Sequence, residues 1–113
     1  MRQSSEKQLD RELKEKWIEG LKSDKYIKIK TYLSDNGSNV RCCSLGVLLV
    51  EAGYSFVNVE TVTKGDEKCN AWQKLNDLGL EPHIVHDIWS MNDGCSETEK
   101  SFKEIAKWVK KHL

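Results

Sequence analysis

The sequence predicts an α+β domain in which four or five helices pack on a small antiparallel sheet of two or three strands. Three observations support this fold class: apolar residues at helical spacing in several segments, alternating residues in one segment, and turn signals between them. The 113 residues suit a single domain. Residues 1–4 are expected to form a flexible tail and residues 5–113 the globular domain.

The first two helices are predicted from capping signals and apolar spacing. The first runs from a capping box in residues 5–8 to Gly20–Lys22. The second, Leu45 to Ala52, is apolar almost all round, which predicts that it lies at the centre of the core. Ser44 is expected to cap it, and Gly46 to allow close approach of another backbone. The apolar stripe of the first helix has a four-residue step and consists of Leu9, Leu13, Trp17 and Leu21.

Three further helices are predicted in the second half of the chain. One spans Asp66 to Leu78 and is closed by Gly79. The next starts at Pro82, a residue favoured at the first helical position, and ends at Gly94. The last starts at one of two capping boxes, Ser96 with Glu99 or Ser101 with Glu104. The residues expected to face inward from the first of these helices are Cys69, Trp72 and Leu75.

Strands are predicted between the helices. Residues 26–32 alternate between apolar and polar, and Asn36-Gly37 is typical of a tight turn because both residues tolerate positive φ. Residues 40–43 are expected to return as the second strand of a hairpin. The β-rich segment Phe56 to Val62 is expected to add a third strand.

The composition of the chain favours some classes of binding partner over others. Eighteen basic and eighteen acidic residues cancel, which argues against non-specific binding to nucleic acid. Two basic runs, Lys22–Lys30 and Lys103–Lys111, are interpreted as solvated faces. The chain has neither an apolar run of membrane-spanning length nor a signal-peptide pattern at its start. We therefore expect a cytoplasmic protein, with its four cysteines present as thiols.

Several motifs of this chain occur together and in order in a group of short tailed-bacteriophage proteins. They are Trp17 with Leu21, Tyr26, the run Cys42-Cys43-Ser44-Leu45-Gly46-Val47-Leu48, Met91-Asn92-Asp93-Gly94, and Ser101-Phe102-Lys103-Glu104-Ile105-Ala106. The chain resembles that group, whose hallmark is Cys-Cys-Leu-Gly-Val-Leu. It departs from the group's pattern by the insertion of Ser44 and by extra residues between Gly94 and Ser101. The resemblance implies a phage origin and transfers no catalytic residue.

The cysteine pair suggests one enzymatic alternative. Cys42 or Cys43 precedes an apolar helix, and a helix N-terminus favours the thiolate. A general base and an orienting group would then come from His83 or His86 and from Asp87 or Asn92. Free cysteines are more often small buried apolar residues, so we interpret this pair as part of the core and predict no catalytic residue.

A zinc site is the second chemical alternative. His83 and His86 are three residues apart on one helical face, and Cys69 and Cys95 flank them in sequence. These spacings fit no standard zinc finger. The sequence therefore predicts no metal site and no cofactor.

Binding residues were sought among aromatic, basic and turn residues. Arg41 and Trp89, together with the two Asn-Asp turns, are candidates for lining a polar ligand pocket. Trp108 lies beside the apolar stripe of the last helix, and a half-exposed tryptophan is a favoured contact for a protein partner. The residues of the two turns are Asn76, Asp77, Asn92 and Asp93.

The functional expectation is a non-enzymatic, phage-encoded accessory protein that binds and blocks a host or defence component. One alternative is a protein that sequesters a nucleotide-like small-molecule signal, with assembly as a homo-oligomer. The other is a cysteine-dependent hydrolase. Nucleic-acid binding ranks below these because the charges balance.

Overall fold

The computed structural model describes residues 9–30, 32–93 and 100–113, and within them it confirms the predicted fold class. Five helices pack with an antiparallel three-stranded sheet in the order β3-β4-β5, and a parallel pair, β1-β2, lies beside them. The helices are α1 (Arg11–Lys22), α2 (Ser44–Glu51), α3 (Ala71–Asp77), α4 (Pro82–Asp93) and α5 (Phe102–His112). The strands are β1 (Ile27–Lys28), β2 (Arg41–Cys42), β3 (Ser55–Phe56), β4 (Thr61–Lys64) and β5 (Glu67–Asn70).

Helix α2 lies at the centre of the core, as its composition predicts. It packs against α1, α3, α4 and β3, and every residue from Ser44 to Leu49 is buried. Full burial of a leucine or valine side chain stabilises a fold by roughly 1.5–3 kcal/mol, so this short helix is a major source of stability. Gly46 is required for the packing, since a Cβ at that position would lie 2.2 Å from the carbonyl oxygen of Leu33.

The start of α2 differs from the prediction. The residue at the N-cap is Cys43, whose backbone is extended, and Ser44 is the first helical residue. The hydroxyl of Ser44 is buried and has no hydrogen-bond partner among the described residues. The cap comes from another helix, because the backbone N–H of Ser44 donates to Oδ1 of Asn92 on α4 at 2.9 Å.

The hairpin predicted from residues 26–43 is wrong. Strands β1 and β2 run parallel, with Ile27 opposite Arg41. The Asn36-Gly37 turn does form, at φ 51° and 93°, but it pairs Ser34 with Cys42 in a local antiparallel bridge. Leu33, which lies in the connection after β1, is buried in the core, and the chain then enters β2 in the same direction as β1.

The predicted third strand and the helix after it are both shorter than expected. Residues 56–62 contain a turn between β3 and β4, where Oδ1 of Asn58 accepts the backbone N–H groups of Glu60 and Thr61. Residues 67–70 pair with β4 as strand β5, so helix α3 starts at Ala71 rather than near Asp66. Asn70 supplies its cap, since Oδ1 accepts the N–H of Gln73 at 3.0 Å. Leu75 is buried as predicted, whereas Cys69 and Trp72 are partly exposed.

Most helix ends follow the sequence signals. Helix α1 ends at Lys22 as predicted, but it starts at Arg11 with Asp10 as its cap. Pro82 is the first residue of α4, and Gly79 has the positive φ expected of a helix terminator. The Ser101–Glu104 capping box starts α5. The predictions for residues 1–8, Gly94 and the Ser96–Glu99 box lie outside the described residues.

Candidate functional site

The cysteine pair lies in the core at the junction of β2 and α2. Cys42 and Cys43 are 0% and 1% exposed. Burial raises the pKa of each thiol to about 12, because a thiolate loses its hydration there. The backbone N–H groups of Leu45 and Gly46 lower the pKa of Cys43, but their effect is smaller than that of burial. Both sulfurs therefore stay protonated at neutral pH.

The histidines proposed as partners for these thiols lie on the surface of α4. His83 and His86 are exposed, as is Asp87, whereas the sulfur of Cys43 is buried. Among the described residues there is no group of three or more histidine, cysteine or acidic side chains placed to hold a metal ion. Cys95, the fourth candidate zinc ligand, lies outside the described residues.

Asn92, predicted as a turn residue and ligand contact, is a fully buried side chain in the last turn of α4. Besides accepting the N–H of Ser44, it donates through Nδ2 to the carbonyl oxygen of Ile29 at 2.8 Å and to Oδ1 of Asp93 at 2.9 Å. The backbone carbonyl oxygen of Asn92 accepts a further hydrogen bond from Nζ of Lys28 at 2.9 Å. One amide thus connects α4 to the start of α2 and to the segment after β1.

The other candidate ligand residues are spread over separate elements. Arg41 is exposed and pairs with Asp35, with 2.9 Å between Nε and Oδ2. Asp77 accepts from Nε2 of Gln73 within α3, and Asn76 is exposed on the same helix. Trp89 is partly buried on α4, and its Nε1 has no partner among the described residues.

Four surface hollows formed by described residues lie apart from these candidates. These four hollows have volumes of about 260 to 370 Å³, and none of the four is lined by any of the six predicted ligand residues. Two of the candidates, Arg41 and Asn92, contact the segment around β1. Arg41 lies opposite Ile27 in the parallel strand pair, and Nδ2 of Asn92 donates to the carbonyl oxygen of Ile29. The hydrogen bonds and ion pair of Asp77 run within α3.

Trp108, the predicted partner contact, is partly exposed on α5. Its ring is tilted by 33° against the ring of His112, with 4.6 Å between the ring centroids. The ring of His112 covers part of the indole, and the remainder of Trp108 is exposed, as the sequence predicted.

A different apolar surface is more exposed, and the sequence did not indicate it. In the described part of the chain, four large apolar side chains are 46–54% exposed: Ile27, Tyr32, Val40 and Val57. The backbone N–H of Ile27 donates to the carbonyl oxygen of Val40 at 2.8 Å. Oδ1 of Asn39 accepts the N–H of Phe56, the residue before Val57. These bonds place Ile27, Val40 and Val57 in neighbouring segments of the backbone, and the surface region that carries these three exposed side chains is here called the apolar patch.

A second surface combines parts of the two basic runs. A hollow of about 320 Å³ between α1 and α5 has four exposed lysines around Ile18 and the buried Ala106. We call it the lysine groove. Its residues are Ile18, Lys22, Lys103, Ala106, Lys107 and Lys110.

Comparisons of this chain with protein-family models, with curated proteins and with solved structures found no match. The function is therefore argued from the chain's own surfaces and buried groups.

We predict that Asn92→Ala lowers the free energy of unfolding by about 2–4 kcal/mol. The substitution leaves the buried N–H of Ser44 without a partner, at about 1–3 kcal/mol, and also the carbonyl oxygen of Ile29, whose bond is only partly buried and which therefore costs about 1 kcal/mol. Asn76→Ala is the matched control on an exposed helix end and should change stability by less than about 0.5 kcal/mol. Urea unfolding measures both; equal, small effects would contradict the structural role of Asn92.

We predict that iodoacetamide at neutral pH leaves Cys42 and Cys43 unmodified in the folded protein but labels the partly exposed Cys69. The reason is that the two buried thiols are inaccessible and remain protonated far above neutral pH. Mass spectrometry of a Cys95→Ser variant gives the labelled positions, and the same protein in denaturant is the control in which every thiol reacts. Rapid labelling of Cys42 or Cys43 in the folded state would overturn this view.

Proposed function

We propose that this chain is a non-enzymatic accessory protein of phage origin that binds and blocks a host or defence protein in the bacterial cytoplasm. The apolar patch is the observation that supports it best. Apolar side chains grouped on a surface are typical of protein interaction sites, because covering them removes apolar area from water. The motifs around Cys42–Leu48 and Ser101–Ala106 support the phage origin by resemblance.

The backbone beneath the patch is well ordered by hydrogen bonds. The N–H groups of Val40 and Arg41 both donate to Oγ of Ser38, at 3.1 and 2.9 Å. The N–H of Val57 donates to the carbonyl oxygen of Thr61 at 2.8 Å. A surface held in place before binding loses little conformational entropy when it docks, which favours affinity.

A further observation agrees with a non-enzymatic role. The buried Cys42 and Cys43 are protonated packing groups and are unsuited to act as nucleophiles. Among the described helices, none has both the length and the apolar character needed to cross a bilayer.

We predict that Val40→Asp lowers affinity for the partner at least about tenfold, or ~1.4 kcal/mol, because it places a charge inside an apolar contact. The partner is first captured from a bacterial lysate on the immobilised wild-type chain and identified by mass spectrometry. Its affinity for each variant is then measured with purified proteins. Gln73→Glu is the control, since it adds the same charge at an exposed position on α3.

Three results would contradict the proposal. The wild-type chain could retain no protein, Val40→Asp could bind as tightly as the wild type, or Gln73→Glu could weaken binding equally. Circular dichroism of both variants shows that any lost binding does not come from unfolding.

A further inference from the structure

The lysine groove concentrates positive charge at one place on a chain whose formal net charge is zero. Ile18 and Lys22 are one turn apart on α1, and the α5 residues occur at positions that share one helical face. The side chains that line this hollow include four lysines and no carboxylate. Its floor is apolar, since it consists of Ile18 and Ala106.

Among the described residues, one ion pair within 4 Å involves a lysine of the groove, and Glu104 lies one helical turn before Lys107 on α5. Lys103 pairs with Asp24 at 3.3 Å, but both side chains are well exposed, and such pairs contribute little. Lys22, Lys107 and Lys110 form no ion pair within 4 Å with any described residue. The ammonium groups therefore repel one another, and a bound anion relieves that repulsion.

Carboxylates surround the groove at specific places. Glu15 and Glu19 line the adjoining hollow, which continues along α1 and shares Lys22 and Lys110 with the groove. Glu104 on α5 is engaged in the capping box with Ser101. Arg11 and Lys14 line the same adjoining hollow, so both signs of charge occur there, whereas the charged residues that line the groove itself are all lysines.

We propose that the lysine groove binds a short acidic segment of a protein, with one apolar side chain of that segment resting on Ile18 and Ala106. A nucleic-acid backbone fits this surface less well, because it offers no apolar side chain to Ile18 and Ala106. A peptide can alternate acidic and apolar residues to match lysines around an apolar floor. The groove lies on α1 and α5, so this site is separate from the apolar patch and does not depend on it.

The experiment measures fluorescence anisotropy of a labelled peptide in which one leucine lies among glutamates, titrated with the full chain at low salt. Lys110→Glu is expected to weaken binding at least about fivefold, since it reverses a charge inside the groove. Lys111→Glu is the matched control: it makes the same change at the next residue, which is exposed and does not line the groove, and should weaken binding less than about twofold. Replacing the leucine of the peptide by serine should weaken binding to the wild type.

The remaining outcomes overturn the proposal. Equal losses for the two lysine variants would indicate a diffuse charge effect, and equal binding of the leucine and serine peptides would remove the role of the floor. Absence of peptide binding would exclude the site, and tighter, Lys110-dependent binding of a labelled oligothymidylate would assign the groove to nucleic acid. Val40→Asp should bind the peptide normally, so failure here and failure of the proposed function are distinguishable.

Discussion

A buried amide side chain on α4 fixes the centre of this protein. Asn92 accepts the first N–H of α2 and donates to the segment after β1, so the elements that cover the core helix are held by one group. Around the same junction, Nε1 of Trp17 donates to the carbonyl oxygen of Ser44 at 2.9 Å, and the N–H of Cys43 donates to the carbonyl oxygen of Leu33 at 3.1 Å. Each bond satisfies a buried polar group at a helix start that lacks a side-chain cap of its own.

The sequence was sufficient for features with local causes and insufficient for those set by distant contacts. The apolar composition of α2 predicted its burial, and Pro82 predicted a helix start, because both signals act within a few residues. The pairing of residues 40–43 with the first strand was predicted correctly, but its direction was not, because alternation does not distinguish a parallel from an antiparallel pair. Asn92 was read as a surface turn residue, since its partners lie more than 45 residues away in the chain. The lysine groove was likewise seen only as two separate runs, which packing of α5 on α1 unites.

The candidate binding surfaces consist of residues that the packing of the core leaves exposed. The thiols of Cys42 and Cys43, which the sequence suggested as candidate nucleophiles, are buried in the core. Burial is also the main cause of their raised pKa. What remains accessible is a region of exposed apolar side chains beside β1 and β2 and a basic hollow between α1 and α5. These two surfaces differ in chemistry and in location, and they offer a partner both an apolar and an electrostatic contact. The recognition role proposed above uses these two exposed surfaces.

The most direct test of this account is native-state hydrogen exchange at the amide of Ser44. Because that N–H is bonded to the buried Asn92, it should exchange only when the whole domain unfolds, so its exchange free energy should equal the global free energy of unfolding. The amide of Gln73, bonded to the exposed Asn70, should exchange with a smaller free energy. Exchange of Ser44 through a local opening of much lower free energy would show that the junction does not hold the core together.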